Sequence, residues 1–370
     1  MKRNRKQKVG IITRPIDQGM SGSGFHLKHL VKHILKINDR FDIILIHYVK
    51  NENELYKNAK ELIIPRNPLL ASLKLEREKF DLIHYSPLNI LSPIWLRKTK
   101  KVATIHGGGG SQILLRHIYG KVKLFRTKFI RPFYVKKMDY IFTVSNTSKN
   151  LIIKNYGYDE SKIVITYNAA DDDFKLYKQK PFEIKKRYGI EGPYIFHLSR
   201  FSERKNPWTI LNAFKILTEH KKDIKLVIGG NGWQNKEILE FIRKNKFENN
   251  IIFTGFIPRE DVVKLLNLAE IFVFPSLFEG FGIPNLEAMA CGCPVITSDA
   301  FAIPEIVDNA ALILDNKKDP SELANKLIKV LEDENLRKNL IAKGLERVKL
   351  YSWKESAKTV LETYEKSLEN

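Results

Sequence analysis

The feature that most constrains this chain is a rhythm: short apolar runs alternate with longer amphipathic stretches, and the whole alternation occurs twice. Val9–Thr13, Asp42–Tyr48, Leu82–Tyr85, Val102–His106, Tyr140–Val144 and Ile163–Thr166 read as strands buried on both faces, with helical periodicity over Phe25–Ile37 and Thr147–Tyr156. The pattern restarts with strand candidates Tyr194–Leu198, Lys225–Ile228, Ile251–Thr254, Ile271–Phe274, Pro294–Ser298 and Ala311–Leu314. Between them lie helix candidates Pro207–Glu219, Asn235–Lys246, Arg259–Leu268, Pro284–Ala290 and Pro320–Leu331. Strand–helix alternation builds parallel, doubly wound sheets, so an α/β chain with two Rossmann-like domains is expected. The join falls in the weakly periodic stretch Ala170–Pro193, which sets the expected domains at 1–180 and 181–352. The last turns are helical, broken near Tyr351–Trp353, where Ser352 and Glu355 form a capping-box pattern that starts a fresh helix.

A chain of 370 residues has room for two good cores. Its charge is lopsided: residues 1–180 hold 35 Lys/Arg against 15 Asp/Glu, whereas the remainder holds 28 against 27. That asymmetry points either to an anionic partner for the first half or to a generally basic surface. The two cysteines, Cys291 and Cys293, are too few for a disulfide framework and lack companions for a zinc site. No apolar run approaches the ~18 residues of a spanning helix, and Val9–Ile12 is too short for a signal sequence. The expected location is therefore cytoplasmic, with peripheral contact to the inner face of the cell membrane.

Chemistry concentrates at strand ends. After the strand ending at Phe274 comes Glu279-Gly280-Phe281-Gly282-Ile283-Pro284-Asn285-Leu286-Glu287, a glycine-containing loop running into a helix that starts at proline. Ligands of open α/β sheets sit at such carboxyl ends, and a helix N-terminus there suits phosphate. Carboxylates accept hydrogen bonds from vicinal hydroxyls, which makes sugar and ribose rings natural targets. Residue chemistry alone leaves a second reading open, in which Glu279 caps the helix and Glu287 complements its dipole. Arg200 and Lys205 bracket the loop after Tyr194–Leu198 and are read either as a diphosphate clamp or as solvated cations. The glycine-rich turns Gly229-Gly230-Asn231-Gly232 and Ser21-Gly22-Ser23-Gly24 are weaker signals, and neither Ser21–Gly24 nor its sequel is a dinucleotide fingerprint. His106 ends a strand before four glycines and is read either as structural or as catalytic.

The stretch from Glu279 to Ser298, reading EGFGIPNLEAMACGCPVITS, resembles the E-x7-E signature of the retaining glycosyltransferases of family 4, which have the GT-B fold. Arg200, Lys205 and Asn206, the Ser21–Gly24 turn, His106 and Trp353 also match that family's pattern, and the similarity spans nearly the whole chain. The resemblance implies two Rossmann-like domains facing a central cleft, an acceptor-binding one at 1–180 and a nucleotide-sugar one at 181–352, with helix 353–370 crossing back to the first. It implies that Arg200 and Lys205 hold the donor diphosphate, that Glu287 binds ribose and that Glu279 contacts the transferred sugar. Phe281, Gly282 and Ile283 would offer backbone amides, Phe256 and Ile257 would frame the base, and Gly230 would line the donor loop. Gly22, Ser23 and Gly24 would approach the diphosphate, and His106 would sit near the sugar. Glu279, His106, Arg200 and Lys205 are the catalytic candidates on this reading.

The reaction implied is transfer of a hexose from a UDP- or GDP-linked donor to a glycan or lipid-linked acceptor. No cofactor is expected beyond the nucleotide-sugar co-substrate. No metal is expected either, because the only aspartate run, Asp171-Asp172-Asp173, lies in the interdomain stretch away from the donor motifs. Residues 112–137 carry eight basic side chains, no acidic one and interleaved apolar residues, a pattern suited to anionic lipid. Nucleic acid is not expected, since no recognition motif accompanies the charge. The competing functional readings are another enzyme of the same fold, such as a nucleotide-sugar epimerase, and a non-catalytic basic binding module.

Overall fold

The computed structural model describes residues 5–17, 22–50, 53–57, 59–88, 92–106 and 131–369. The chain divides into two compact units, Met1–Asn168 with Ser352–Asn370, and Ala169–Tyr351. The seam precedes the expected 180/181 boundary, and hydrogen bonds explain why. Asn168 holds the buried ring of His26 at 2.5 Å in the first unit, while Tyr177 N–H donates to Asn267 Oδ1 at 2.7 Å in the second.

The first unit is a parallel sheet of seven strands: β1 (Lys8–Ile12), β2 (Asp42–His47), β3 (Lys60–Ile63), β4 (Leu82–Tyr85), β5 (Lys100–Thr104), β6 (Tyr140–Thr143) and β7 (Ile163–Ile165). Their spatial order is β3-β2-β1-β4-β5-β6-β7, so sequence order reverses between β1 and β4. Six of these strands are apolar enough to be expected from sequence. The seventh, β3, reads Lys-Glu-Leu-Ile and is mostly exposed at the sheet edge, where charged residues discourage pairing with other chains. Helix Gly22–Ile37 buries Leu27, Leu30, Val31 and Ile34 and packs against the terminal helix Trp353–Glu369. Gly22, Ser23 and Gly24, expected in a loop, lie in the first turn of that helix, and Ser21 falls outside the described residues.

The terminal helix belongs to the first unit, although the chain reaches it through the second. Glu355 N–H donates to Ser352 Oγ at 3.3 Å, the N-cap half of the expected capping box. The Trp353 ring then stacks on His29 at 5.4 Å between centroids. Three turns on, Tyr364 is fully buried and its hydroxyl meets His84 Nδ1 at 2.6 Å, while His84 Nε2 meets Thr104 Oγ1 at 2.7 Å. This chain ties the helix to β4 and β5.

The second unit has β8 (Tyr194–Leu198), β9 (Lys225–Gly229), β10 (Ile251–Gly255), β11 (Ile271–Phe274), β12 (Val295–Ser298) and β13 (Leu312–Leu314). They pair in parallel in the order β10-β9-β8-β11-β12-β13. The helices Pro207–His220 and Pro320–Glu332 pack on each other over a core that includes Phe214, Leu217, Leu226, Leu323 and Leu327. Sequence order reverses between β8 and β11, so their carboxyl ends define the crevice where doubly wound sheets take ligands.

Candidate active site

Both carboxyl ends at that switch point carry the charged residues singled out from sequence. The loop after β8 continues into a short 3-10 turn, Glu203–Lys205, and the loop after β11 carries Glu279. Asn206 makes the join to helix Pro207–His220 in the left-handed region (φ 61°), a conformation asparagine tolerates better than most residues. Its side chain donates to Pro275 O at 3.0 Å and so fastens the first loop to the base of the second.

Lys205 Nζ donates to Glu279 Oε1, and the ammonium also lies 4.4 Å from the centroid of the Phe274 ring. Both side chains are nearly nine-tenths buried, at 11% and 12% exposed, with Arg204 at 4.0 Å on the open side. Burial pushes the Lys205 ammonium pKa down, and the Glu279 carboxylate opposes the shift. A buried ion is tolerated only when paired, and Glu279 is the partner that makes burial of Lys205 tolerable. Arg200 lies one loop turn away and is exposed.

The floor of this loop is backbone. Gly230 adopts φ 107°, and a Cβ there would stand 2.2 Å from Ser199 O and 3.1 Å from Arg200 N. Only glycine allows β9's turn to lie against the Ser199–Arg200 peptide. Trp233 Nε1 donates to Ser199 O at 2.8 Å. His197 Nδ1 donates to Val273 O at 2.8 Å, which leaves its Nε2 to accept from Ser199 Oγ at 2.8 Å. Burial lowers the His197 pKa to about 3, so the ring is a neutral brace between β11 and the loop after β8.

The second carboxylate sits elsewhere in the same unit. Gly282 (φ 88°) precedes helix Ile283–Ala290, and Glu287 projects from that helix into the interior. Arg259 Nη2 stands 3.5 Å from Glu287 Oε1 and 3.3 Å from Asp171 Oδ2, and its guanidinium covers the Phe174 ring at 4.6 Å. Burial raises the Glu287 pKa to about 7, against the pull of Arg259 and with a further push from Asp171. The expectation that Asp171 lies away from the donor motifs is therefore wrong. The backbone after the seam turns back into the second unit and brings it to the cation that serves Glu287. Among the described residues, no group of three or more acidic, histidine or cysteine side chains is placed to hold a metal ion.

The remaining sequence candidates divide. Ile257 is buried against Gly229, whereas Phe256 is 69% exposed and free to meet a flat ligand. The Phe281 side chain packs edge-on to Tyr351 at 5.9 Å. Ile283 is half-buried at the helix start. In the first unit, the His106 ring meets His26 edge-on at 4.5 Å, and neither Nε2 has a hydrogen-bond partner among the described residues. Burial depresses the pKa of both rings, that of His26 to about 4. The glycines after His106 and residues 112–130 of the basic segment lie outside the described residues.

Arg259, Asp171, Arg204, Phe274 and His197 were not among the site residues expected from sequence. Arg259 stood at a helix start after Gly255-Phe256-Ile257-Pro258, a visible signal, but its two carboxylate partners are remote in sequence.

Comparison with known proteins gives the family and the fold. Residues 181–347 match the family "Glycosyl transferases group 1", and residues 52–174 match "Glycosyltransferase Family 4". The chain belongs to the family 4 glycosyltransferases. It is 26% identical over 385 residues to O-antigen chain mannosyltransferase B of Escherichia coli, covering 96% of this chain and 99% of that one. It is 27% identical to N-acetyl-alpha-D-glucosaminyl L-malate synthase of Bacillus anthracis, across 93% and 92% of the two chains. Anabaena HepE, solved with UDP and glucose, superposes with a TM-score of 0.75 at 18% identity over 97% of this chain and 99% of that one. WaaG, solved as a lipopolysaccharide-biosynthesis glycosyltransferase, superposes with a TM-score of 0.71 at 14% identity over 95% and 98%. The glycosyltransferase is thus an enzyme with two Rossmann-like domains of the GT-B fold.

Proposed function

We propose that this glycosyltransferase transfers a hexose, with retention and without a metal, from a UDP- or GDP-linked donor to a glycan or lipid-linked acceptor. The observation that carries the reading is the buried Lys205–Glu279 pair at the β8/β11 switch point, with Arg204 on its open side and the exposed Arg200 in the same loop after β8. Breaking the anomeric bond places charge on the departing diphosphate. Cations already positioned there stabilise that charge without reorganising, which is where electrostatic catalysis gains most. In this scheme Arg200 and Lys205 meet the diphosphate, and Glu279 turns from Lys205 alone to sharing hydroxyls of the sugar. The leaving phosphate then guides the acceptor to the same face, and Glu279 is not a nucleophile.

Glu287 accepts the ribose hydroxyls in its ionised form, which Arg259 favours. Phe256 offers an exposed ring to the base, and the amides of Phe281, Gly282 and Ile283 face donor oxygens. Gly22, Ser23 and Gly24 are assigned to the donor diphosphate and His106 to its sugar, as the family resemblance implies. The mannosyltransferase names among the relatives favour mannose and a cell-surface polysaccharide acceptor, and the UDP-bound neighbour favours a nucleoside diphosphate. An anionic membrane is the further partner, which would place the enzyme on the inner face of the cell membrane. Among the described residues no helix is long and apolar enough to cross a membrane.

A thermal-shift panel of UDP- and GDP-sugars tests the reading, because a ligand that binds only the native state raises Tm. One nucleotide-sugar should raise Tm by several degrees, and Glu287→Ala should remove that rise together with transfer. No shift with any nucleotide-sugar, or full turnover by Glu287→Ala, would sink it.

A further inference from the structure

Helix Pro68–Arg77, beside β3 and β4 in the first unit, is amphipathic in an unusual sense. Asn67 caps it, its Oδ1 accepting from Leu69 N at 2.9 Å and Leu70 N at 3.2 Å. Ala71, Ser72 and Leu75 turn inward and are buried. The outward face should then be polar. Instead it presents Leu69, Leu70 and Leu73 at 62%, 56% and 58% exposed. Leucines exposed one by one are ordinary, but three on one helical face form a patch.

The patch has neighbours of the same kind. Arg97 N–H donates to Glu76 at 3.3 Å, which lays the segment 92–97 along the end of the helix. From that segment Trp95 projects, 53% exposed, to meet the ring of Phe133, itself 44% exposed, at 6.0 Å. The Lys137 ammonium lies 5.4 Å from the Phe133 ring. Around these apolar groups stand exposed cations, Arg66 just before the helix cap, Lys74 and Arg77 on the helix, and Arg97, Lys98 and Lys136 in the segments that carry the rings. The segments 95–101 and 131–137 contain no Asp or Glu.

We propose that the Leu69–Leu70–Leu73 face and the Trp95–Phe133 ring pair form a docking surface for an anionic lipid bilayer. Charge complementarity selects this occupant. Leucine and tryptophan tips with lysine and arginine around them match the acyl boundary and the phosphate layer above it. The helix has ten residues, so it lies in the interface and does not cross it. The proposal places the surface on groups distinct from residues 112–130. It rests on the glycosyltransferase reading only for its purpose, presentation of a membrane-held acceptor.

Flotation of the full chain with vesicles tests it without any donor or acceptor. With phosphatidylcholine vesicles containing one third phosphatidylglycerol at low salt, the chain should float. Binding should weaken at least tenfold in pure phosphatidylcholine and fall with added salt. The variant Leu69→Gln/Leu70→Gln/Leu73→Gln keeps good helix formers and the same net charge. It should bind at least tenfold less while circular dichroism and Tm stay unchanged, and Lys136→Gln/Lys137→Gln should lose mainly the salt-sensitive part. Equal flotation of the triple variant would overturn the proposal. So would flotation abolished only by Lys121→Gln/Lys123→Gln/Arg126→Gln, or a triple variant that changes oligomeric mass with no flotation by the parent. Donor hydrolysis by the triple variant is scored separately: its loss with normal folding would count against the site assignment, and flotation alone decides the docking surface.

Discussion

Glu287 is the side chain whose protonation has a functional sign. Its pKa is raised to about 7 by burial, so the protonated form grows as pH falls below neutrality. If the carboxylate accepts ribose hydroxyls, donor KM should fall as pH rises from 6 to 8, and Glu287→Gln should flatten that profile. The same shift carries a stability sign. The folded state holds the proton more tightly than the unfolded chain, so this group's contribution is full below the ordinary carboxylate pKa and is lost as pH rises through about 7. Arg259→Met removes the cation opposing the shift. It should move the KM profile to higher pH and raise donor KM several-fold at pH 7, as read by initial rates across pH. For Lys205 and Glu279 the geometry predicts coupling. Glu279→Gln leaves a buried ammonium without its anion, and Lys205→Met leaves a buried carboxylate without its cation. Each should lower stability by about 3 kcal/mol, whereas the pair exchanged together should cost less, a coupling measurable by a double-mutant cycle in urea.

At the scale of elements, the sequence was most legible where a strand is covered on both faces. Ile271–Phe274 and Leu82–Tyr85 are continuous apolar runs, and their bounds are the observed ones. It was least legible at β3, whose solvent-facing edge leaves Lys60 and Glu61 with no reason to be apolar. Gly22–Gly24 misled for a different reason. Glycine marks a turn in isolation, but the helix that follows extends back through it. Among turns, the Gly230 bend is the one most closely specified by packing, and Gly230→Ala should cost about 1–3 kcal/mol in thermal unfolding. The terminal helix yields a sharper prediction. Trp353 is 2% exposed and Tyr364 fully buried, so Trp353→Ala should destabilise the first unit by about 3–5 kcal/mol. Tyr364→Phe, which only strands His84 Nδ1, should cost about 1–3 kcal/mol.

The whole molecule consists of two units, each with its own sheet and core. Calorimetry should therefore resolve two transitions, and a nucleotide-sugar should raise chiefly that of the unit holding Glu287, an effect absent in Glu287→Gln. The repeated strand–helix rhythm was enough to determine two doubly wound halves, because a buried parallel strand requires apolar residues on both faces and its crossover requires an amphipathic helix. The stretch from Glu279 to Ser298, set beside Arg200, Lys205 and Asn206, carried the resemblance to the family. Tertiary structure decided which charges meet. Lys205 and Glu279 lie 74 residues apart and come together because β8 and β11 are neighbours where the strand order reverses. Asp171, Arg259 and Glu287 converge from a connecting segment and two helices, and the last helix returns to the first sheet through His84 and Tyr364. Periodicity records which face of an element is buried; it holds no record of the distant charge that makes burying Glu287 tolerable.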